Sequence, residues 1–283
     1  ATSWQSIISD CDLMVAFGGL PVKNAAVGQG GVGAHRTGPA LLEAKAAGVD
    51  FINISPLRSD MPAALQADWL APRPSTDAAL MIGLAHVLLT ENLTDQAFLE
   101  KYTEGFDRFS AYLTGEVDGI AKTADWAADI CKLSAYTIRS LARRMARGRT
   151  MISLAWALTR QDHGEQPFWL GTVLAAMLGQ IGLPGGGIGF GYGATNTVGL
   201  ERMSPPFQAP PQGRNKVKTF IPVARITDLL ESPGGSFDYN GKAYTYPDTR
   251  LIWWAGGNPS HHQQDLDRSR PRALGAVAAS APV

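Results

Sequence analysis

The chain has 283 residues, enough for one large domain or two ordinary ones with a real core, so a short disulfide scaffold and a disordered tail are both excluded. Lys and Arg number 25 and Asp and Glu number 25, so no net field draws the chain toward nucleic acid or an anionic membrane. Two figures stand out: charged residues make up 18%, against roughly 25% in ordinary soluble domains, and there are 31 glycines, well above the usual share of about 7%.

From the N-terminus, ATSWQSIISD has neither a basic region nor an apolar stretch of the kind an export signal carries. No run approaches the 18 or so apolar residues of a membrane span. Leu13 to Phe17, Phe51 to Ile54, Met151 to Ala155 and Leu251 to Trp254 are short apolar runs bounded by Gly, Pro or polar residues, and they read as buried strands. Helical patterns lie between them at Pro39 to Ala47, Thr76 to Thr90, Asp95 to Tyr102, Ala135 to Arg147, Phe168 to Gln180 and Val223 to Leu230. Thr76 with Asp77, Thr94 and Ser134 suit N-caps, and Gly48 and Gly148 suit the left-handed residue after a helix. Strands alternating with helices predict a doubly wound, mostly parallel α/β sheet of Rossmann type.

Two lobes are expected, a dinucleotide-binding lobe over residues 1–160 and, over 161–283, a loop with part of a second α/β lobe. The Gly- and Pro-rich stretch 182–218 reads as a long functional loop or a crossing between them. Cys11 and Cys131 lie in no metal-type spacing, and two such thiols lean toward a reducing, cytoplasmic setting. The basic run from Lys132 to Arg149 reads as a solvated helix face rather than a nucleic-acid contact.

The chemistry concentrates where strands end. LMVAFGG is a strand running into glycines, which makes Gly18 and Gly19 phosphate candidates. GQGGVG at 28–33 has the spacing of a dinucleotide fingerprint, with Asp50 at a suitable distance for a ribose hydroxyl, but the LPVKNAAV insert separates it from the strand. NISPLRSD and RPSTD follow, then WALTRQDHGEQ with Trp156, Arg160, His163 and Glu165, then GGNPSHHQQD. In a parallel sheet all these strand ends converge on one crevice. Adjacent His261 and His262 point apart in regular structure and are poor partners for one metal.

These motifs in order, FGGLPVKN, NISPLRSD, RPSTDAAL, WALTRQDHGEQPFW, AAMLGQIGLPGGGIGFGYG, TFIPVARITDLL and LIWWAGGNPSHHQQDLDR, resemble the middle of the molybdopterin-dependent S- and N-oxide reductases, the dimethyl sulfoxide reductase family. The resemblance runs from Leu13 to about Arg268. It implies a bis(molybdopterin guanine dinucleotide) molybdenum cofactor, a small S- or N-oxide substrate, and two-electron oxygen-atom transfer. By position it implies that Gly18, Gly19, Leu20, Pro21 and Lys23 follow one pyrophosphate, that Ser55, Pro56, Leu57 and Arg58 sit beside ribose or phosphate, and that Ser75 and Asp77 bind that guanine. Trp156 and Arg160 would lie near the metal and substrate, and Gly257, Asn258, His261 and Gln264 would serve the second dinucleotide.

The resemblance also places the molybdenum-ligating serine upstream of these motifs and a further cofactor-binding domain downstream. The chain is therefore expected to be a central fragment, inactive alone, whose partners are the remaining domains of the same enzyme. Two alternatives are a stand-alone nucleotide-binding or assembly module and, resting on GQGGVG, an NAD-dependent dehydrogenase. Lobes normally covered by other domains should show exposed apolar residues.

Overall fold

The computed structural model describes residues 2–26, 34–200, 210–211, 213–214 and 219–254. The chain divides into two compact units, 1–204 and 205–283.

The first unit is built on five parallel strands in the order β3-β2-β1-β4-β5: β1 Leu13–Phe17, β2 Asp50–Ile54, β3 Asp68–Leu70, β4 Thr150–Leu154 and β5 Gly187–Phe190. All five residues of β1 and all five of β4 are buried, as expected of strands covered on both faces. Helices α1 (Trp4–Asp10) and α2 (Thr37–Ala46) cover one face, where Met14, Ala16, Phe51 and Met151 meet Trp4, Leu41, Leu65 and Tyr192. Five helices belong to the other side: α3 Asp77–Thr90, α4 Gln96–Tyr102, α6 Ala124–Cys131, α7 Ala135–Arg147 and α8 Gln166–Met177, with α5 (Phe106–Thr114) packed on α3. There Val15, Phe17, Ile52, Ile54, Ile152 and Leu154 form the larger core. The doubly wound parallel sheet is thus the one the alternating pattern predicts.

Local chemistry explains most boundaries. Ser134 caps α7 by accepting from Thr137 N (3.0 Å), and Ile138, Leu141, Ala142 and Met145 form its buried stripe. Asp95, not Thr94, caps α4, accepting from Phe98 N at 2.9 Å. Thr76 precedes α3 without capping it, since its hydroxyl donates back to Arg73 O. Gly48 takes φ +102°, but Gly148 is extended at φ −151°; it is small because a Cβ there would lie 2.6 Å from Asp12 Oδ2. α3 has no polar stripe because α6, α7 and α8 surround it.

Several expectations are corrected. A division at 160/161 would cut α8 and β5 from the sheet they complete, and the first compact unit instead runs through Ser204. The stretch 182–218 is not all loop, since β5 lies inside it. Leu251 to Trp254 form no strand: they have no ladder partner among the described residues, and Leu251, Trp253 and Trp254 are exposed. The second unit contains α9 (Ile226–Glu231) and a hairpin, β6 Ser236–Tyr239 and β7 Lys242–Thr245, which pair antiparallel over a core of Leu229, Phe237 and Tyr246. Asn240 and Gly241 both take positive φ in its two-residue turn.

Three of the four arginines of α7 find acidic partners on other elements: Arg139 with Asp125, Arg143 with Glu91 (2.7 Å), and Arg144 with Asp50 (3.0 Å) and Asp68 (2.5 Å). Cys11 and Cys131 are buried and free, and burial pushes the Cys11 thiol up to about 11, far from the reactive thiolate.

Gly83 sits where α3 packs closely against α6. A Cβ there would stand 2.5 Å from Ala127 Cβ where α3 meets α6. Gly83→Val should therefore cost about 1–3 kcal/mol, seen as a lower urea midpoint at unchanged slope; an unchanged midpoint would contradict this packing.

Candidate functional site

Because every strand of the main sheet runs the same way, their carboxyl ends share one edge. The chain leaves β1 toward α2 on one face and leaves β4 toward α8 on the other. Helices departing in opposite directions open a crevice between β1 and β4, the usual ligand position in such sheets.

Gly18 and Gly19 turn the chain out of β1 with φ of +83° and +74°. A Cβ on Gly18 would lie 2.6 Å from Ala155 Cβ, and one on Gly19 would lie 2.6 Å from Asp60 Cβ and O. Their amides are not free donors: Gly18 N donates to Ile54 O (2.8 Å), Gly19 N reaches Ala16 O at 3.4 Å, and Leu20 N donates to Asp60 O (2.7 Å). The glycines here serve close backbone approach. Leu20 is buried and, with Pro21, lies against Gly193 beyond β5, while Lys23 stands exposed on the following 3₁₀ turn, Val22–Ala26.

The turn after β2 is tightly organised. Ser55 Oγ donates to Asp60 Oδ2 (2.6 Å) and accepts from Leu57 N (3.2 Å), so this buried hydroxyl shapes the turn rather than facing outward. Pro56, Leu57 and Arg58 are exposed, and Arg58 has no ion-pair partner among the described residues. Asn53 and Asp60, which sequence reasoning did not select, hold this turn: Asn53 Nδ2 donates to Leu57 O and Arg58 O, and Asp60 carries the Ser55 and Leu20 contacts. A polar residue inside the apolar run FINI was the legible signal for Asn53.

Beyond β3, Ser75 takes φ +63°, uncommon for a residue with a side chain, and leads into Asp77 at the start of α3. Asp77 is buried with no cationic partner among the described residues, and burial pushes its carboxyl above the usual range, against a hydrogen bond from its own amide. After β4, Trp156 lies against Gly191, whose Cβ would come within 2.8 Å of the indole nitrogen. Arg160 is exposed, and His163, at φ +52°, has its imidazole 3.8 Å from both Asp162 and Glu165.

The structure therefore brings the candidates from Gly18 to Arg160 to one edge. Gly257, Asn258, His261 and Gln264, and the GQGGVG run, lie outside the described residues. Asp50 does not belong to this edge: it begins β2 at the opposite end of the sheet and pairs with Arg144 and Lys45, which leaves the NAD reading without its ribose carboxylate. Leu57, Trp69, Trp156, Trp169 and Phe190 are among the exposed apolar residues of this unit.

A family model described as molybdopterin oxidoreductase matches residues 1–279. The chain is 44% identical over 268 residues to biotin sulfoxide reductase of Cereibacter sphaeroides, covering 95% of this chain and 36% of that protein. It is 44% identical over 277 residues to dimethyl sulfoxide/trimethylamine N-oxide reductase of the same organism, covering 94% of this chain and 34% of that one. It thus spans about a third of the length of these relatives. Acetylene hydratase from Pelobacter acetylenicus is similar in structure with a TM-score of 0.47 and 26% identity, over 61% of this chain and 22% of that one.

Gly18→Ala would add both backbone strain and a clash, at an expected cost of about 1–3 kcal/mol. Pairing it with Ala155→Gly should recover only the steric share, measured by urea denaturation of both variants. For Asp77 the folded carboxyl titrates above its unfolded value. Its contribution to stability is then present at acid pH and lost as pH rises through its raised value. Asp77→Asn should remove that downward slope, read as the wild-type minus variant difference in unfolding free energy across the acid range; parallel pH curves would refute it.

Proposed function

The chain belongs to the molybdopterin oxidoreductase family, and from that premise we propose that its parallel sheet grips the guanosine and pyrophosphate portions of a bis(molybdopterin guanine dinucleotide) cofactor in an S- or N-oxide reductase. The observation that carries this reading is Asp77, a buried carboxylate without a cation at the start of α3, on the edge where the strands end. Guanine offers N1–H and N2–H donors that pair with a carboxylate, and such charge-assisted bonds are the strong ones. Gly18 and Gly19 let the turns after β1, β2 and β4 close against one another at that edge, since a Cβ on either would meet Ala155 or Asp60.

In this reading Asp77 and Ser75 take the guanine, and Arg58 meets ribose or phosphate at the rim of a turn that Ser55, Pro56 and Leu57 build. Gly18, Gly19, Leu20 and Pro21 follow the pyrophosphate with Lys23 as the cation beside it. Gly257, Asn258, His261 and Gln264 take the second dinucleotide. When bound, the molybdenum centre supplies two-electron oxygen-atom transfer with a sulfoxide or N-oxide, while the protein contributes binding, orientation and electrostatics. Trp156 walls the site, and the guanidinium of Arg160, without an ion-pair partner among the described residues, orients and polarises the substrate oxygen. The remaining domains of a longer enzyme are the partners of this sheet, consistent with relatives about three times its length.

Titration calorimetry with guanosine diphosphate tests the grip. Asp77→Asn removes a charged acceptor and should weaken binding by about 1.5–3 kcal/mol, roughly ten- to hundred-fold, with adenosine diphosphate binding poorly throughout. Because the ionised carboxylate is the acceptor, wild-type affinity should rise with pH through the raised value of Asp77 and then level. Equal affinity for both nucleotides, or for both proteins, would refute the assignment.

A further inference from the structure

The turn of the β6–β7 hairpin reads Tyr239-Asn240-Gly241-Lys242, with Asn240 at φ +50° and Gly241 at φ +71°. Asn tolerates that left-handed conformation better than most residues with a side chain, so the dipeptide suits the turn. It also sets a side-chain amide directly before a backbone nitrogen that no Cβ shields.

Three features leave this pair chemically open. Both residues are exposed, and so are Asp238, Lys242 and Ala243 around them. Gly241 N donates to no acceptor among the described residues, and the Asn240 side chain has no hydrogen-bond partner among them. The hairpin itself is slight, two strands of four residues over a core of Leu229, Phe237 and Tyr246. A lone two-stranded hairpin is marginal in water, so its turn opens at little cost in free energy. Other asparagines are guarded: Asn53 and Asn196 are buried with amide atoms bonded to backbone, and Asn92, also at positive φ, precedes Leu93, whose N donates to Leu88 O at 2.9 Å.

We propose that Asn240 is a modification site, at which the folded chain converts its own asparagine to isoaspartate and aspartate. Gly241 N gives up its proton and bonds to Asn240 Cγ, closing a cyclic imide, while the Cγ–Nδ2 bond breaks and Nδ2 leaves as ammonia. Water then opens the ring at Cγ, giving aspartate, or at the Asn240 backbone carbonyl carbon, giving isoaspartate; nothing is oxidised or reduced. The aspartate product keeps the turn, since Asp also tolerates positive φ. Isoaspartate routes the main chain through Cβ and lengthens the turn, which loosens the pairing of Tyr239 with Lys242 and the stack of Phe237 on Tyr244 (5.5 Å). The hairpin thus carries a clock whose product undoes it, and the chemistry is independent of any ligand at the strand ends of the main sheet.

Peptide mapping by mass spectrometry tests this on the intact chain, folded and unfolded in guanidinium chloride, after incubation at neutral and mildly alkaline pH, with an isoaspartyl methyltransferase to read the isoaspartate. The peptide carrying Asn240 should gain the amide-to-acid mass before those carrying Asn53, Asn92 or Asn196, and faster at the higher pH because the attacking amide must lose its proton. The folded rate should lie within about ten-fold of the unfolded rate, the mark of a turn that opens freely. Asn240→Gln, which would need a larger ring, should stop the conversion. Asn240→Asp should keep the hairpin, read from the backbone NMR shifts of Tyr239 and Lys242, whereas the isoaspartate form loses it. A folded rate suppressed by more than about ten-fold, earlier conversion at Asn53, Asn92 or Asn196, or a rate indifferent to pH would overturn the proposal.

Discussion

The pairing of β1 with β2 on one side and β4 on the other is the constraint from which the rest follows. Leu13 stands opposite both Asp50 and Thr150, and Phe17 opposite both Ile54 and Leu154, so three strands start and stop in step. With both edges paired and both faces covered, β1 can hold only apolar residues. The common register brings the turns after β1, β2 and β4 to one level, so residues more than a hundred positions apart in sequence face the same crevice.

That alignment forces the loops to share space. Gly18 abuts Ala155, Gly19 abuts Asp60, Gly191 abuts Trp156 and Gly193 abuts Leu20, so each strand-end turn is shaped by another. Hydrogen bonds make the same connection, with Leu20 N on Asp60 O and Gly18 N on Ile54 O. The high glycine content is thus partly a record of turns packed without room for a Cβ. Groups that look available on paper are committed within this network, as the Ser55 hydroxyl shows. The groups left over, Asp77, Arg58 and Arg160, carry charge and have no cation or carboxylate set against them among the described residues. They are the ones with something to offer a ligand.

Legibility in the sequence followed local physics. The runs LMVAF, FINI and MISL were readable as strands because burial on both faces demands unbroken apolar character, and α7 was readable from its stripe and its Ser134 cap. β3 and β5 were not, because DWL and GIGF are short edge strands whose state depends on a neighbour supplying the ladder. LIWW failed in the opposite sense: an apolar, β-prone run is not a strand without a partner to bond. The hairpin around Tyr239-Asn240-Gly241-Lys242 has a legible Asn-Gly turn dipeptide, but its strands are short and mostly polar or exposed, so their apolar runs carry little signal.

Motif order along the chain carried the family, and apolar periodicity carried the sheet's central strands and its long helices, because both are written in consecutive residues. The crevice at the β1–β4 junction, the use of the strand-end glycines for close approach and the displacement of Asp50 to the far end of the sheet came from three-dimensional packing. Each depends on which distant backbone lies alongside, and that information resides in strand order and register rather than in any local run of residues.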